Sequence, residues 1–324
     1  MTDRRTFVKS SAALLLPAFG APALAAAWPN RPLRIVVPFA PGGTSDVIAR
    51  LISKPLSDAL GVTVIVDNRT GANGNIGAAA VAQATDEHTL LLSDVGSLAI
   101  SPLISKDLAY RPEDLKGVTM LAYSPHLLVA HPSVAASNLK ELVALSKRTR
   151  LNVASAGSGS PNHLAIVEIA QATGLQWQHV PYKGGAQALG DTAAGNTQLV
   201  LNGMIATLPL VQSGRLKVIG ISRRTRSALL SQVPTIAEQG VKDFESGTYQ
   251  GIVAPAGLPK PIVDRLNAEL IRIVRAPELR ARLAEAGAEV MTSTAAETNA
   301  FITKERQRWA GVIQRAGTQI EGTV

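Results

Sequence analysis

The stretch Leu33-Arg34-Ile35-Val36-Val37-Pro38-Phe39-Ala40-Pro41-Gly42-Gly43-Thr44-Ser45-Asp46-Val47-Ile48-Ala49-Arg50-Leu51-Ile52 changes its hydrophobic period halfway along. The first five residues form a short β-branched run of the kind a buried strand needs, and Val47, Ile48, Leu51 and Ile52 repeat at helical spacing. Between them two prolines and two glycines make a turn, with Thr44 or Ser45 placed to cap the helix. A strand feeding a helix through a glycine-rich turn is the unit of an α/β protein. It leaves the first helical amides facing outward at the carboxyl end of the strand, an arrangement that attracts anions. Pro55 falls inside the helical pattern, where its missing N–H and its clash with the preceding turn predict a kink or an interruption.

The same unit recurs along the chain. A second strand over 62–66 leads into Thr70-Gly71-Ala72-Asn73-Gly74-Asn75-Ile76-Gly77 and an alanine-rich helix, and a third over 89–92 ends at Ser93-Asp94-Val95-Gly96-Ser97. A second lobe is predicted to begin near Pro125, with strands over 127–130, 151–154, 178–180, 198–202 and 216–221. Its helices are expected over 138–148, from 162 to 173 and from 185 to 195. A strand over 250–254 and amphipathic helices over 261–275, 278–286 and 295–315 have no sheet of their own and are expected to return to the first lobe. The predicted organisation is therefore residues 27–125 plus 250–324 as lobe 1 and 126–249 as lobe 2, each a mixed sheet flanked by helices. Ligands of open α/β sheets bind beyond the carboxyl ends of the strands, so the small polar loops there are the natural walls of a site.

Arg4 and Arg5 precede an apolar run over 12–25 that closes with Ala23-Leu24-Ala25, which predicts a twin-arginine-type signal peptide over 1–26 and export to the periplasm. The run is broken by Pro17, Gly20 and Pro22 and is too short to span a membrane. The 324-residue chain carries a formal charge of +8. Removing that segment takes away three cations and one anion, and the remaining modest surplus favours anionic ligands by long-range attraction. Arg223, Arg224 and Arg226 form the one dense basic group, and without interleaved aromatics it predicts a solvated turn and not a nucleic-acid surface. With no cysteine there is no disulfide framework, thiol nucleophile or thiolate metal site. The five histidines show no metal-ligand spacing, and no metal or cofactor is expected.

Among the loops, Pro41-Gly42-Gly43-Thr44-Ser45-Asp46 lets the backbone approach a ligand, although the same geometry serves an ordinary strand-to-helix turn. It is not a P-loop, because no Gly-Lys-Ser/Thr follows. Ala156-Gly157-Ser158-Gly159-Ser160-Pro161-Asn162-His163 is a second such loop. Ser158 lacks the flanking glycines of a nucleophile elbow, and His163, in the first turn of a helix, is expected to contact the loop or pack beneath it. Gly71, Gly74 and Gly77 do not make a dinucleotide fingerprint. Lys183 follows Tyr182 at another helix start and either pairs with an anion or stays solvated. Asp46, Asp94 and Asp191 are the acids near strand ends, where capping is the common role.

Taken in order, these motifs resemble the substrate-binding proteins of tripartite tricarboxylate transporters, the Bug family. The resemblance rests on Ile35-Val36-Val37-Pro38-Phe39-Ala40-Pro41-Gly42-Gly43 with Asp46 and Ala49-Arg50, and on Asp67-Asn68-Arg69 with Gly71-Ala72-Asn73-Gly74. Further along it rests on Ala154-Ser155-Ala156-Gly157-Ser158-Gly159-Ser160 with His163-Leu164, on His179-Val180-Pro181-Tyr182-Lys183-Gly184, on Val233-Pro234-Thr235 and on Ala254-Pro255-Ala256-Gly257. It implies a type II, Venus-flytrap fold that acts as a monomer, captures a small carboxylate between its lobes and presents the closed form to membrane permease subunits. Phe39, Gly42, Gly43, Thr44, Asp46, Ser93 and Asp94 are the expected ligand contacts from lobe 1. Those from lobe 2 are Ala156, Gly157, Ser158, Ser160, His163, Tyr182 and Asn202, with the loop at 42–46 facing the loop at 157–160 and the crossover near 124–128 and 247–251. A sensor-kinase adaptor and an exported enzyme are the other functions such a fold serves. The chain departs from the family pattern where Ser93-Asp94-Val95-Gly96 replaces a Thr-Asn-Gly step and Asn202-Gly203 replaces an acidic strand end. Asp94 in the cleft repels a second carboxylate or welcomes an ammonium group, so the expected cargo is a monocarboxylate or an amino-acid-like zwitterion.

Overall fold

A computed structural model describes residues 28–94 and 96–316, so the predicted signal peptide lies outside the described residues, as does Val95. Strand β1 (Leu33–Val37) turns at Pro38 into α1 (Thr44–Leu60). Ile48, Ile52, Leu56 and Leu60, four residues apart, point into a core with Leu33, Ile35 and Leu90, and Gly61 ends the helix in the left-handed region at φ 72°. The helix runs on through Pro55 without the expected interruption. A proline there costs about 3 kcal/mol, whereas each of those buried side chains returns about 1.5–3 kcal/mol, so packing on both sides holds the helix together.

The chain continues through β2 (Val64–Asn68), α2 (Asn75–Ala82), β3 (Thr89–Ser93), a π turn at Gly96–Ile100 and α3 (Ser101–Ile104). The long strand β4 (Leu115–Ala130) follows. Next come α4 (Leu139–Ser146), β5 (Asn152–Ser155), α5 (Pro161–Thr173), β6 (Gln178–Pro181), α6 (Gly185–Ala193), β7 (Leu199–Gly203), α7 (Met204–Gln212) and β8 (Lys217–Ile221). The chain closes with β9 (Gly247–Pro255), α8 (Lys260–Arg275), α9 (Pro277–Glu285), β10 (Glu289–Val290) and α10 (Ala295–Ala316).

All the strands join one mixed sheet in the order β2-β1-β3-β9-β4-β7-β5-β6, with β8 and β10 also paired to β4. The β1–β2 and β1–β3 pairs are parallel, as are β5–β6 and β5–β7, and the five pairings to β9 and β4 are antiparallel. Strand β4 lies against β9 from Leu115↔Pro255 to Pro125↔Gly247, and from His126 onward it pairs β7 and β8 instead. One strand thus belongs to both lobes. Each lobe has its own apolar core, one around Leu33, Ile52 and Leu266 and the others on the two faces of the β4–β7–β5 sheet.

The tail does not confine itself to the first lobe. The start of α10 packs on β4, where the Gly117 amide donates to Asn299 Oδ1 at 2.9 Å. Its far end lies on α5, with Trp309 and Val312 among Leu164, Val167 and Ile100, and Gln171 Nε2 donates to the Arg315 carbonyl at 3.0 Å. An amphipathic helix with apolar residues along its whole length has two cores to cover, and α10 covers both.

Candidate functional site

The loops at the carboxyl ends of β1, β2, β3, β5, β6 and β7 gather where the lobes meet. Gly42 takes φ +82°, a conformation that favours glycine, and lies against lobe 2: a Cβ placed there would be 4.0 Å from Ala186 Cβ in the first turn of α6. Gly43 is the α1 N-cap at φ −78°, and a Cβ on it would meet only the Ala40 carbonyl at 3.5 Å, so Gly42 is the position that demands glycine. Neither Gly43 at the head of α1 nor Gly184 at the head of α6 gives a side-chain cap, which leaves the first amides of both helices without side-chain partners.

Asp46 is spent on the loop itself. Its Oδ2 accepts the Gly42 amide at 3.0 Å and Arg50 Nε at 2.9 Å, and its Oδ1 accepts Asn68 Nδ2 at 3.0 Å. Burial pushes this carboxyl up, but the bonds from Arg50, Gly42 and Asn68 outweigh that and hold it below the ordinary carboxylate value. Asn68 Nδ2 also donates to the Phe39 carbonyl at 3.0 Å, so the Asp67-Asn68-Arg69 motif braces the first glycine loop from the neighbouring strand.

Thr44, by contrast, is 7% exposed and its Oγ1 has no hydrogen-bond partner among the described residues. It points at lobe 2: a Cβ on Gly203, at the end of β7, would stand 2.5 Å from Thr44 Oγ1 and 3.1 Å from Thr248 Oγ1. Asn202, 5% exposed, accepts Asn162 Nδ2 on its Oδ1 at 3.3 Å and leaves its Nδ2 without a partner. Both side-chain atoms of Asn73 and the hydroxyl of Ser101 are buried and unpartnered as well. Buried polar atoms are nearly always paired, and leaving one unpaired costs about 1–3 kcal/mol. Thr44 and Asn202 by the end of β7, and Asn73 and Ser101 on the other loops, are therefore candidate groups for hydrogen bonds to a ligand or to water.

On the third strand end, Ser93 Oγ donates to the Asp94 carbonyl at 2.8 Å and shares a hydrogen with Ser97 Oγ at 2.9 Å. Asp94 Oδ1 accepts the Gly96 amide at 2.8 Å, and burial pushes the carboxyl up to about 6.

In lobe 2, Gly157 and Gly159 take φ +134° and +71°, and Ser160 Oγ caps α5 by accepting the His163 amide at 3.2 Å. His163 lies beneath this loop, where its Nδ1 accepts the Gly159 amide at 3.1 Å and its ring stacks on His179 with centroids 3.9 Å apart. His179 Nε2 in turn bonds Ser155 Oγ at 2.6 Å. Burial pushes His163 down to about 3 and His179 to about 4, so both are neutral props for the loop. The Tyr182 hydroxyl donates to Asp191 Oδ2 at 2.6 Å.

Gly157 approaches Asn73, 3.8 Å from a built Cβ to Asn73 Oδ1, while Gly42 approaches α6. The two glycine loops predicted to face one another are therefore each opposed by a different loop. A cavity of about 660 Å³ opens at the lobe junction, lined by Asn73, Asn75, Ser101 and Ile104 on one side and Gly157, Ser158, Tyr182 and Lys183 on the other. Of the expected contacts, Gly157, Ser158 and Tyr182 line it, half-buried Ala156 does not, and Thr44, Asp94 and Asn202 are buried at the junction itself. Phe39 is a packing residue, its ring against Gly74. Asn73 and Ser101 were not among the expected contacts. The sequence signal for Asn73 was its place in Gly71-Ala72-Asn73-Gly74, where asparagine tolerates the observed φ of 53°. No cluster of metal-ligating side chains occurs among the described residues.

Residues 48–318 match the family model described as tripartite tricarboxylate transporter family receptor. Protein BugT of Bordetella pertussis is 35% identical over 306 residues, 93% of this chain and 94% of that protein. The solved structure of Rpa4515 from R. palustris with adipate superposes with a TM-score of 0.87 at 33% identity, covering 90% of this chain and 98% of that one. The periplasmic binding protein BugD superposes at 0.85 with 32% identity, covering 90% and 99%. The two lobes, the shared strand β4 and the cleft between them are those of a periplasmic binding protein, and the chain belongs to the tripartite tricarboxylate transporter receptor family.

Proposed function

We propose that this chain is a periplasmic solute receptor that closes its two lobes on a small carboxylate and delivers it to membrane permease subunits, without turning it over. The observation that carries the reading is the convergence of two helix ends lacking side-chain caps, α1 from lobe 1 and α6 from lobe 2, beside the unpartnered Thr44 Oγ1 and Asn202 Nδ2. Helix N-termini and neutral donors suit a carboxylate, because they bring partial positive charge without the desolvation penalty of a buried lysine or arginine. The adipate held by a structural relative is of the same chemical class.

A thermal-shift screen of the purified protein against mono-, di- and tricarboxylates and neutral sugars is expected to raise the melting temperature with a carboxylate class only. Thr44→Val and Asn202→Leu are each expected to weaken that binding about 10-fold or more, since a hydrogen bond to a charged group contributes about 1.5–3 kcal/mol. A shift produced by neutral sugars alone, or recovery of a chemically altered ligand, would sink the reading.

A further inference from the structure

The protein treats its two buried acids at the lobe junction in opposite ways. Asp46 receives an arginine and two further donors, which use both its oxygens. Asp94, 8% exposed, receives the Gly96 amide on Oδ1, and among the described residues no lysine, arginine or histidine pairs with it. A buried carboxylate without a cation is costly, and burial accordingly pushes this one up to about 6.

Its position matters as much as its charge. A Cβ on Gly96 would lie 2.9 Å from Asp94 Oδ1, 3.8 Å from Asn73 Nδ2 and 3.5 Å from Pro161 Cδ. Asp94 therefore sits where the loops after β2 and β3 meet the first turn of α5 from the other lobe. That helix end supplies partial positive charge, but among the described residues the Asp94 carboxyl accepts a hydrogen bond from the Gly96 amide alone; Pro161 has no N–H and the His163 amide is taken by Ser160 Oγ. Next to it, both side-chain atoms of Asn73 are unpartnered. The junction thus holds donors at the heads of α1 and α6, for one end of a ligand, and an acceptor at Asp94 with no cation of its own.

We infer that the cleft selects a ligand carrying a protonated amine as well as a carboxylate, with Asp94 as the specificity-determining partner of the amine. The inference rests on the carboxylate reading and narrows it. A second carboxylate at that point is repelled by Asp94, and an uncharged chain end leaves it unpaired.

The test is isothermal titration of the purified protein and of Asp94→Asn with a set of matched carbon skeleton: butanoate, succinate, 2-aminobutanoate and 4-aminobutanoate. Asn at this position keeps an acceptor for the Gly96 amide and removes only the charge, so the variant is expected to fold, with a ligand-free melting temperature equal to or above the wild type. One of the amino acids is expected to bind the wild type at least about 10-fold more tightly than butanoate or succinate, and to lose about 10- to 100-fold in Asp94→Asn, while succinate binds the variant as well or better. Succinate bound most tightly by both proteins would overturn the inference and leave the carboxylate reading standing. If thermal shift against the wider carboxylate panel is also silent, the carboxylate reading fails and this inference fails with it.

Discussion

Acidification from pH 7 to pH 5 is expected to remove several kcal/mol of folding stability, because buried neutral histidines must take up protons on unfolding. His126 is wholly buried, with Nδ1 bonded to Ser246 Oγ at 2.8 Å and Nε2 to Thr248 Oγ1 at 3.1 Å. Burial, aided by the nearby Arg308 guanidinium, pushes it down to about 3. Burial pushes His163 to about 3, aided by His179, and His179 itself to about 4. In the unfolded chain a histidine titrates near about 6.5. Below that value the unfolded state binds protons that the folded state refuses, so stability rises with pH. The contribution is complete above about 6.5 and is lost progressively as pH falls toward the folded values of about 3–4. Asp94 works the other way: pushed up to about 6, it holds a proton in the folded state that the unfolded state releases, and it offsets about one histidine between pH 6 and 5. A net uptake of about two protons corresponds to about 3 kcal/mol lost per pH unit there, a large share of the ~5–15 kcal/mol that holds a typical domain. Urea unfolding midpoints measured at pH 7, 6 and 5 check this, and His126→Asn should flatten the dependence by about one proton. Midpoints that do not move with pH would mean that these imidazoles are hydrated in the folded protein.

Much of the architecture follows from local period. The strand-turn-helix unit around Pro41 places β1 at Leu33–Val37 and starts α1 at Thr44, and the heptad-like apolar spacing after Pro259 marks α8, because in both cases one face is buried and the other is wet. Strand β4 escapes the same reasoning. It carries Gly117, Ser124 and Pro125, and a proline argues against a central strand. The structure accommodates Pro125 because pairing to β9 ends there, opposite Gly247, where the strand passes from one lobe to the other. Helix α7 is hidden for a different reason: its apolar residues follow those of β7 with Asn202-Gly203 alone between them and Pro209 inside, and period alone does not divide a buried strand from a buried helix.

The loops that wall the cleft are legible for the same reason as the strands, since they lie where the period changes. The division of labour within them is less so. Asp46 and Arg50 stand four residues apart on one helix face, a spacing that announces their ion pair, but the third brace, Asn68, comes from another strand. That Thr44, Asn73, Ser101 and Asn202 lack partners depends on how two lobes fit together, and no window of sequence contains both lobes. The resemblance makes Ser160 and His163 ligand contacts, whereas the position of His163 in the first helical turn points to a place against or beneath its loop; the structure spends the Ser160 hydroxyl and His163 Nδ1 on the geometry of that loop.

Trp309→Ala is expected to destabilise the protein by about 3–5 kcal/mol, the usual consequence of emptying a large buried aromatic site. Trp309 is 1% exposed and lies between elements distant in sequence, with Ile100 before the short helix of lobe 1 on one side and Leu164 and Val167 of α5 on the other. Surrounding collapse is limited, because α10 is pinned at both ends, by Asn299 to β4 and by the Arg315 carbonyl to Gln171. The Arg308 guanidinium stands 4.7 Å over the Trp309 ring while donating to the Glu245 carbonyl at 2.6 Å, so the truncation also removes a surface on which that cation rests. The indole N–H has no hydrogen-bond partner among the described residues, which makes Trp309→Phe the informative control. It leaves most of the apolar surface in place and gives up no hydrogen bond, so its cost is expected to stay below about 1.5 kcal/mol. Urea unfolding of the two variants checks the pair of values. A loss below about 1 kcal/mol for Trp309→Ala would mean that the end of α10 does not hold the second lobe, and a loss for Trp309→Phe as large as that for alanine would mean that the indole nitrogen, and not the packing, ties the helix down.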